Sequence, residues 1–422
     1  MISPERPDSF PGAASGEISL SLTEVAIALS DALNLVGIED AGHGKRVAFM
    51  ATEIGRAAGF SPDALQLLFL SALLHDCGVS SSRVFRKLTD NFDWEESAEH
   101  CLAGHRLLSG FPPLRTAASI VLHHHDRWDS AARRETEGRI ALLANAIFLA
   151  DRTDVLRLSL QPSDILVSRR AVRDGIAERS KSYFAPELVG AFLEVSLSEA
   201  FWLTLEEPHI DRYVEDELHA SRPGTTDLRS LRELAGIFAQ IVDAKSPFTA
   251  EHSKGVARLA RLLGSLQGMP DDVCDQLEIA GLLHDVGKLR VTEEIIDKPA
   301  ALTREERALV TRHSYDTGHI LRKVFPGQPI ARWAAMHHEN LLGTGYPRHL
   351  GAAGIPREAR LIAVADIFQA CCQERPYRKQ LAAREAMAEL DAMLAAGRID
   401  AEMVELVRSH LAACYALAVG AE

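Results

Sequence analysis

The chain lacks any uninterrupted apolar run of the roughly 18 residues that a membrane-spanning helix needs, so no segment is a transmembrane candidate. It is short of basic side chains: 46 Lys and Arg stand against 59 Asp and Glu, a net charge of −13. Broad binding to a nucleic-acid polymer, which depends on Lys/Arg surface, is therefore not expected. A local basic pocket for a small phosphorylated ligand remains compatible with this balance. Six cysteines (Cys77, Cys101, Cys274, Cys371, Cys372 and Cys414) show neither metal-finger spacing nor a disulfide framework, and Cys371-Cys372 reads as buried apolar filler. Alternating strand-like runs are scarce. The first 17 residues hold three prolines but no basic segment leading into an apolar one, and read as a flexible leader, not a signal peptide. A reducing cytoplasmic setting is the expectation. What is present, 47% hydrophobic and 25% charged residues over 422 positions, excludes a disordered or collagenous chain and suggests two or three globular domains.

The dominant pattern is helical. Val256, Leu259, Ala260 and Leu263 fall on one helical face, and similar stripes recur at 18–36, 46–58, 64–75, 140–156, 186–205, 227–243, 275–284, 329–338, 357–374, 381–396 and 401–418, predicting an all-α fold. Phe201-Trp202 with Leu203 and Leu205 reads as a core stripe. His319 and His349 read as surface or loop positions without a role.

Repeats are more informative. Gly42-His-Gly-Lys-Arg-Val-Ala matches Glu251-His-Ser-Lys-Gly-Val-Ala, and Leu73-Leu-His-Asp-Cys-Gly matches Leu282-Leu-His-Asp-Val-Gly. His124-His125-Asp126 matches His337-His338-Glu339, Leu149-Ala-Asp matches Val364-Ala-Asp, and Pro186-Glu-Leu-Val matches Ala401-Glu-Met-Val. The offset grows from 209 to 215 residues in small steps, as loop insertions would cause. Two tandem helical domains from an internal duplication follow: a leader at 1–17, a first copy at 18–218, a linker at 219–226 and a second copy at 227–422.

In the second copy the candidate metal donors are His252, His284, Asp285, His313, His337, His338 and Asp366. Neutral imidazole and carboxylate suit iron, manganese, zinc or nickel. The two oxygens of Asp285 could touch two cations, and the stripe carrying His252 turns its ring inward, toward the helix ending in His284-Asp285.

These residues resemble the HD phosphohydrolase superfamily, and the second copy resembles its HD-GYP family. HDVGK (284–288), HHE (337–339), GTGYP (343–347), ADIF (365–368) and RPYR (375–378) occur in that family's order. The resemblance implies a metal-dependent phosphodiesterase that opens a cyclic dinucleotide. Cyclic di-GMP, opened to pGpG, is the expected substrate; 3′,3′-cyclic GMP-AMP and a catalytically weak dinucleotide-binding scaffold are the alternatives. It implies the seven donors above as ligands of two divalent ions, iron or manganese first. Asp285 and Lys288 would be catalytic, with Lys288 at the scissile phosphate, and Arg375, Arg378, Tyr346 and Gly345 would contact substrate. Two close cations lower the pKa of water and neutralise charge on phosphoryl oxygens, and Lys288 would stabilise the transition state's extra negative charge.

Departures from the family are Leu341-Leu342 in place of Trp-Asp and Gln369 in place of Asp, the latter expected near the nucleotide. Phe248 replaces the Glu that accompanies a third metal. The first copy keeps the donors His43, His75, Asp76, His100, His124, His125 and Asp151, and adds Glu39. However, Val79 replaces the lysine, and the Gly-Tyr-Pro and RPYR runs are missing. It reads as a regulatory copy, with a second metal site there as a further expectation. A homodimer or a signalling protein is the expected macromolecular partner.

Overall fold

The structure, a computed structural model, describes residues 21–33, 35, 42–79, 81–160, 164–220, 228–244, 251–374 and 378–420. The expected leader, most of the linker, Glu39, Phe248 and Arg375 lie outside the described residues. No strand occurs among the described residues, and the fold is all-α; the only bridges described are the isolated Ser180–Phe184 and Leu342–Gly351 pairs. The chain forms two compact units, Leu22–Pro223 and Gly224–Glu422.

In the second unit the helix His252–Leu266 packs on Asp271–Leu283, Arg357–Cys371 and Leu411–Val419, while Leu228–Asp243 covers Asp271–Leu283. The predicted stripe of Val256, Leu259, Ala260 and Leu263 is fully buried. Each such side chain removed from water contributes about 1.5–3 kcal/mol if it is as large as valine or leucine. In the first unit His43–Ala57 packs on Pro62–Leu74 and Gly138–Ser159, and Ala98–Ser109 packs on Arg115–Leu122. Phe201 and Trp202 are core residues, as their stripe predicts. Two predicted helices are each broken in two. The stretch 186–205 stops at Val195 and restarts at Glu199, where the Ser198 side chain caps the new N-terminus. The stretch 401–418 divides at His410.

Chain ends of helices position the donors. Asp271–Leu283 stops at His284, and Asp285 turns the backbone into the short 3₁₀ segment Val286–Arg290. Gly287 then crosses the next donor's helix so closely that a Cβ there would lie 2.1 Å from the His313 carbonyl oxygen. Gly78 makes the matching approach, 2.0 Å from the His100 carbonyl oxygen. Only glycine fits these crossings, which bring the third histidine against the His-Asp turn.

Candidate functional site

The donors of each copy come from five separate helix ends or faces and converge. In the second unit Asp285 is central. Its Oδ2 faces His252 Nε2 at 3.6 Å and His284 Nε2 at 3.3 Å, while its Oδ1 faces His313 Nε2 at 3.4 Å and His337 Nε2 at 3.7 Å. Asp366 Oδ1 closes one side, 3.2 Å from His252 Nε2 and 3.7 Å from His284 Nε2. The His338 ring stacks beside His337, with centroids 4.0 Å apart. The first unit repeats the plan around Asp76: Oδ2 lies 3.8 Å from His43 Nε2 and 3.4 Å from His75 Nε2, and Oδ1 lies 3.5 Å from His100 Nε2 and 3.9 Å from His124 Nε2. Asp151 contacts His43 Nε2 at 3.4 Å and His125 Nε2 at 3.7 Å.

The protonation of these rings follows from their other nitrogen. His284 Nδ1 meets the Gly281 carbonyl at 2.7 Å, His313 Nδ1 the Val310 carbonyl at 2.5 Å, and His337 Nδ1 the Ala334 carbonyl at 2.6 Å. A carbonyl only accepts, so each Nδ1 carries the proton and each Nε2 offers a lone pair inward. The acceptor is three residues back in every case, a last-turn carbonyl without a helical partner. His313 and His337 therefore bring two lone-pair nitrogens to 3.1 Å from one another. Burial holds His313 down to about 3 and His337 well below the ordinary imidazole value, so neither ring takes up a proton to relieve that approach. Burial likewise lowers His338 to about 4. His284 behaves oppositely: burial lowers it, but Asp285 and Asp366 raise it to about 9, so its Nε2 offers a lone pair only where a cation takes the place of the proton those carboxylates attract. Burial also opposes the charge on Asp285 and Asp366, yet the surrounding imidazoles, joined at Asp285 by Lys288, hold both well below the usual carboxylate range. His284 Nε2 and Asp285 Oδ1 are buried with no hydrogen-bond partner. Converging lone pairs, a carboxylate with one oxygen toward each pair of imidazoles, and unpartnered buried donors fit one or more divalent cations.

A cavity of about 630 Å³ opens on this centre. His252, Asp285, His338 and Asp366 form its polar end, joined by Lys288, Lys298 and Arg378. Val291, Ile295, Ile296, Pro299, Leu302 and Val310 form an apolar wall. Lys288 Nζ donates to Asp285 Oδ2 at 2.5 Å. Arg378 is anchored through Nη2 to the Ala370 carbonyl.

Three residues expected near substrate have packing partners within the chain. Gly345 is buried, and a Cβ there would meet the His338 carbonyl oxygen at 2.4 Å and Glu339 Cα at 2.6 Å. The GTGYP loop thus packs on the HHE segment, fastened by Glu339, which accepts from the Arg348 and Leu350 amides. Tyr346 stacks on His338, centroids 4.8 Å apart, and supports that ring without lining the cavity. Gln369, expected near the nucleotide, is packed against His252. It is buried, its carbonyl accepts from His252 Nδ1 and its amide donates to the Ala418 carbonyl at 3.2 Å.

Sequence reasoning missed several supporting residues. Asp154 holds His43 Nδ1 at 2.9 Å and stands 215 residues before Gln369, the offset that also separates Asp151 from Asp366. That shared offset was the available signal. Asp243 lines the cavity and accepts from Ser253, the neighbour of His252; burial pushes its carboxyl up to about 7. Thr317 links the Gly287 amide to the His284 carbonyl. Nothing in the local sequence marks Asp243 or Thr317.

Comparisons with known proteins agree with this geometry. A family profile described as HD domain matches residues 236–403, and a second HD-domain profile matches 41–156. The chain is 35% identical over 412 residues to 3′3′-cGAMP-specific phosphodiesterase 1 of Vibrio cholerae, covering 96% of this chain and 95% of that protein. It is 37% identical over 143 residues to cyclic di-GMP phosphodiesterase PA4108 of Pseudomonas aeruginosa, about a third of each chain. A crystal structure of a cyclic GMP-AMP specific phosphodiesterase of V. cholerae, V-cGAP3, superposes with a TM-score of 0.64 at 26% identity, covering 94% of this chain and 98% of that one. Phosphodiesterases of the HD type are metal-dependent. With two HD domains in tandem and a relative matched along nearly its whole length, the chain belongs to the HD-GYP-type family of cyclic-dinucleotide phosphodiesterases.

Proposed function

We propose that the second unit is a metal-dependent phosphodiesterase that opens a cyclic dinucleotide to its linear form, with 3′,3′-cyclic GMP-AMP as its preferred substrate. The observation that carries the chemistry is the pair of lone-pair nitrogens, His313 Nε2 and His337 Nε2, held 3.1 Å apart beside Asp285. The preference rests on a relative matched over nearly the whole chain being named for cyclic GMP-AMP, while relatives named for cyclic di-GMP each match less than half of it. This favours the alternative over the substrate that the motifs first suggest. A cyclic di-GMP reading, with pGpG as product, remains the second substrate to assay.

His252, His284, Asp285, His313, His337, His338 and Asp366 would hold two divalent ions, iron or manganese. Bound cations supply Lewis-acid polarisation of the phosphate and a lowered pKa for water. The remaining work falls to the chain. The apolar wall from Val291 to Val310 takes the flat faces of the bases, while Arg378 offers a planar fork to a phosphate or a base edge. Lys288, already held at the polar end, stabilises the negative charge that grows on the phosphoryl oxygens. Gln369, Tyr346 and the last-turn carbonyls fix the rings, so that little reorganisation accompanies reaction. The first unit keeps the donors but has Val79 where the second has Lys288, and we assign it a regulatory role outside hydrolysis.

Turnover tests this reading. Metal-loaded full-length protein should convert 3′,3′-cyclic GMP-AMP to a linear dinucleotide, faster than it converts cyclic di-GMP, and Asp285→Ala should abolish both. Tight binding of either dinucleotide with no product from fully metallated protein would instead support the scaffold alternative.

A further inference from the structure

The two copies differ at the residue that follows the third histidine: Ser314 in the second unit, Cys101 in the first. In both, that side chain folds back onto the ring before it. Ser314 Oγ lies 3.3 Å from His313 Nε2, and Cys101 Sγ lies 3.8 Å from His100 Nε2, on the face where the donors converge. Around that face the first unit offers four donors of three kinds. His100 Nε2 and His124 Nε2 are 3.2 Å apart. Asp76 Oδ1 is 3.5 Å from the first and 3.9 Å from the second. A tetrahedral ion with metal–nitrogen bonds near 2.05 Å and a metal–sulfur bond near 2.3 Å places its ligand atoms about 3.3–3.6 Å apart. Four of the six separations among these atoms are observed, 3.2 to 3.9 Å, and they bracket that range; Cys101 Sγ also lies 3.5 Å from His124 Nδ1 and donates to the Ser97 carbonyl at 3.3 Å, a bond that a metal would replace.

A second observation asks for positive charge beside Asp76, independently of the thiol. His75 Nδ1 meets the Ala72 carbonyl at 2.8 Å, and its Nε2 is buried without a hydrogen-bond partner 3.4 Å from Asp76 Oδ2, on the other oxygen of the same carboxylate. A bare lone pair against a carboxylate is repulsive unless a proton or a cation lies between them.

From these positions we infer that the first unit holds a closed metal site, formed by His100, Cys101, His124 and Asp76, with a cysteine thiolate as one ligand. Borderline-soft divalent ions, zinc or cobalt(II) in practice, suit a set of two imidazoles, one thiolate and one carboxylate. As the sulfur–metal bond forms, the Cys101 thiol gives up its proton to solvent, with no change of oxidation state. Four protein ligands leave no position for water, which is the arrangement of structural sites and not of hydrolytic ones. Two further features of the first unit agree. Val79 stands at the lysine position, and Arg152 engages the outer oxygen of Asp151 at 2.7 Å while tying down the carbonyls of Leu88, Asn91 and Phe92. Ile367 stands at the equivalent of Arg152 in the second unit. The inference is independent of hydrolysis by the second unit, whose donors include no sulfur.

Cobalt(II) titration of the full-length, metal-stripped protein tests it. Thiolate-to-cobalt charge transfer absorbs in the near ultraviolet, where imidazole and carboxylate complexes do not. The expected result is such a band at one thiolate per chain, lost in Cys101→Ser and kept in Cys77→Ala, with linear-dinucleotide production by Cys101→Ser unchanged. X-ray absorption of the zinc-loaded wild type should also show a sulfur scatterer near 2.3 Å, a readout that needs no variant. Absence of the band in the cobalt-treated wild type, its persistence in Cys101→Ser, or a zinc spectrum with only light scatterers would each overturn the assignment.

Discussion

Replacing Gln369 by leucine separates two roles that one position could play. The side chain is 1% exposed, so its two hydrogen bonds are made in the interior. Leucine nearly fills its volume but leaves the His252 Nδ1–H and the Ala418 carbonyl unsatisfied, at about 1–3 kcal/mol each. The His252 ring then loses the acceptor that keeps Nε2 unprotonated and aimed at Asp285 and Asp366. Loss of such a partner typically lowers metal affinity or activity by roughly 10- to 100-fold. Urea unfolding of the stripped protein should show a loss of roughly 2–6 kcal/mol, from the two unsatisfied groups together. Competition against a chelator should show the fall in affinity. Gln369→Asp, the residue found at the matching position Asp154, should keep most of that affinity, because a carboxylate also accepts from Nδ1. The ratio of turnover on cyclic GMP-AMP and cyclic di-GMP should stay unchanged in both variants. Unaltered metal affinity in Gln369→Leu together with a changed substrate ratio would refute the reasoning and return Gln369 to the nucleotide.

Other outcomes follow from the same geometry. Lys288→Met should lower kcat by roughly 10²–10³-fold with little change in KM, since its charge acts on the transition state; steady-state kinetics on metal-loaded protein will show it. Gly287→Ala drives a Cβ into the His313 backbone and should destabilise the protein by about 3 kcal/mol or more, measured by urea unfolding, and lower its metal content. Asp243, raised from 3.8 to about 7, binds its proton more tightly in the folded state than in the unfolded one. It therefore contributes stability that is fully present below about pH 4 and is lost as pH rises through 7, by at most about 4 kcal/mol. Unfolding with chelator present should show Asp243→Asn gaining on the wild type between pH 5 and pH 8.

The duplication, the all-α class and the gathering of the candidate donors in each copy were legible because short motifs repeat at a steady offset and because each inward histidine sits on an apolar stripe. Helices such as Ser82–Asp90 and Arg304–Thr311 were not. The first is short, and its apolar stripe is only Val84, Phe85 and Leu88; the second is largely polar and solvent-facing and is marked only by a capping box between Thr303 and Glu306. The breaks at Ser196–Ser198 and His410 interrupt stretches whose apolar pattern continues on either side. Within the site, Gly345, Tyr346 and Gln369 lie in or near motifs, and the structure gives each a partner in the chain, a histidine ring or the backbone, that the motif alone does not reveal. The acceptors that set the tautomers of His284, His313 and His337 are main-chain carbonyls, which leave no trace in side-chain identity. Asp243 reaches the cavity from a helix whose pattern reads only as core.

Anomalous diffraction from crystals of the metal-loaded protein tests the central claim most directly. Two strong peaks should lie in the second unit on either side of Asp285, one among His252, His284 and Asp366 and the other among His313, His337 and His338. A map with no anomalous density there, and these rings still gathered, would show that the cluster is held together without cations and would contradict the hydrolytic account.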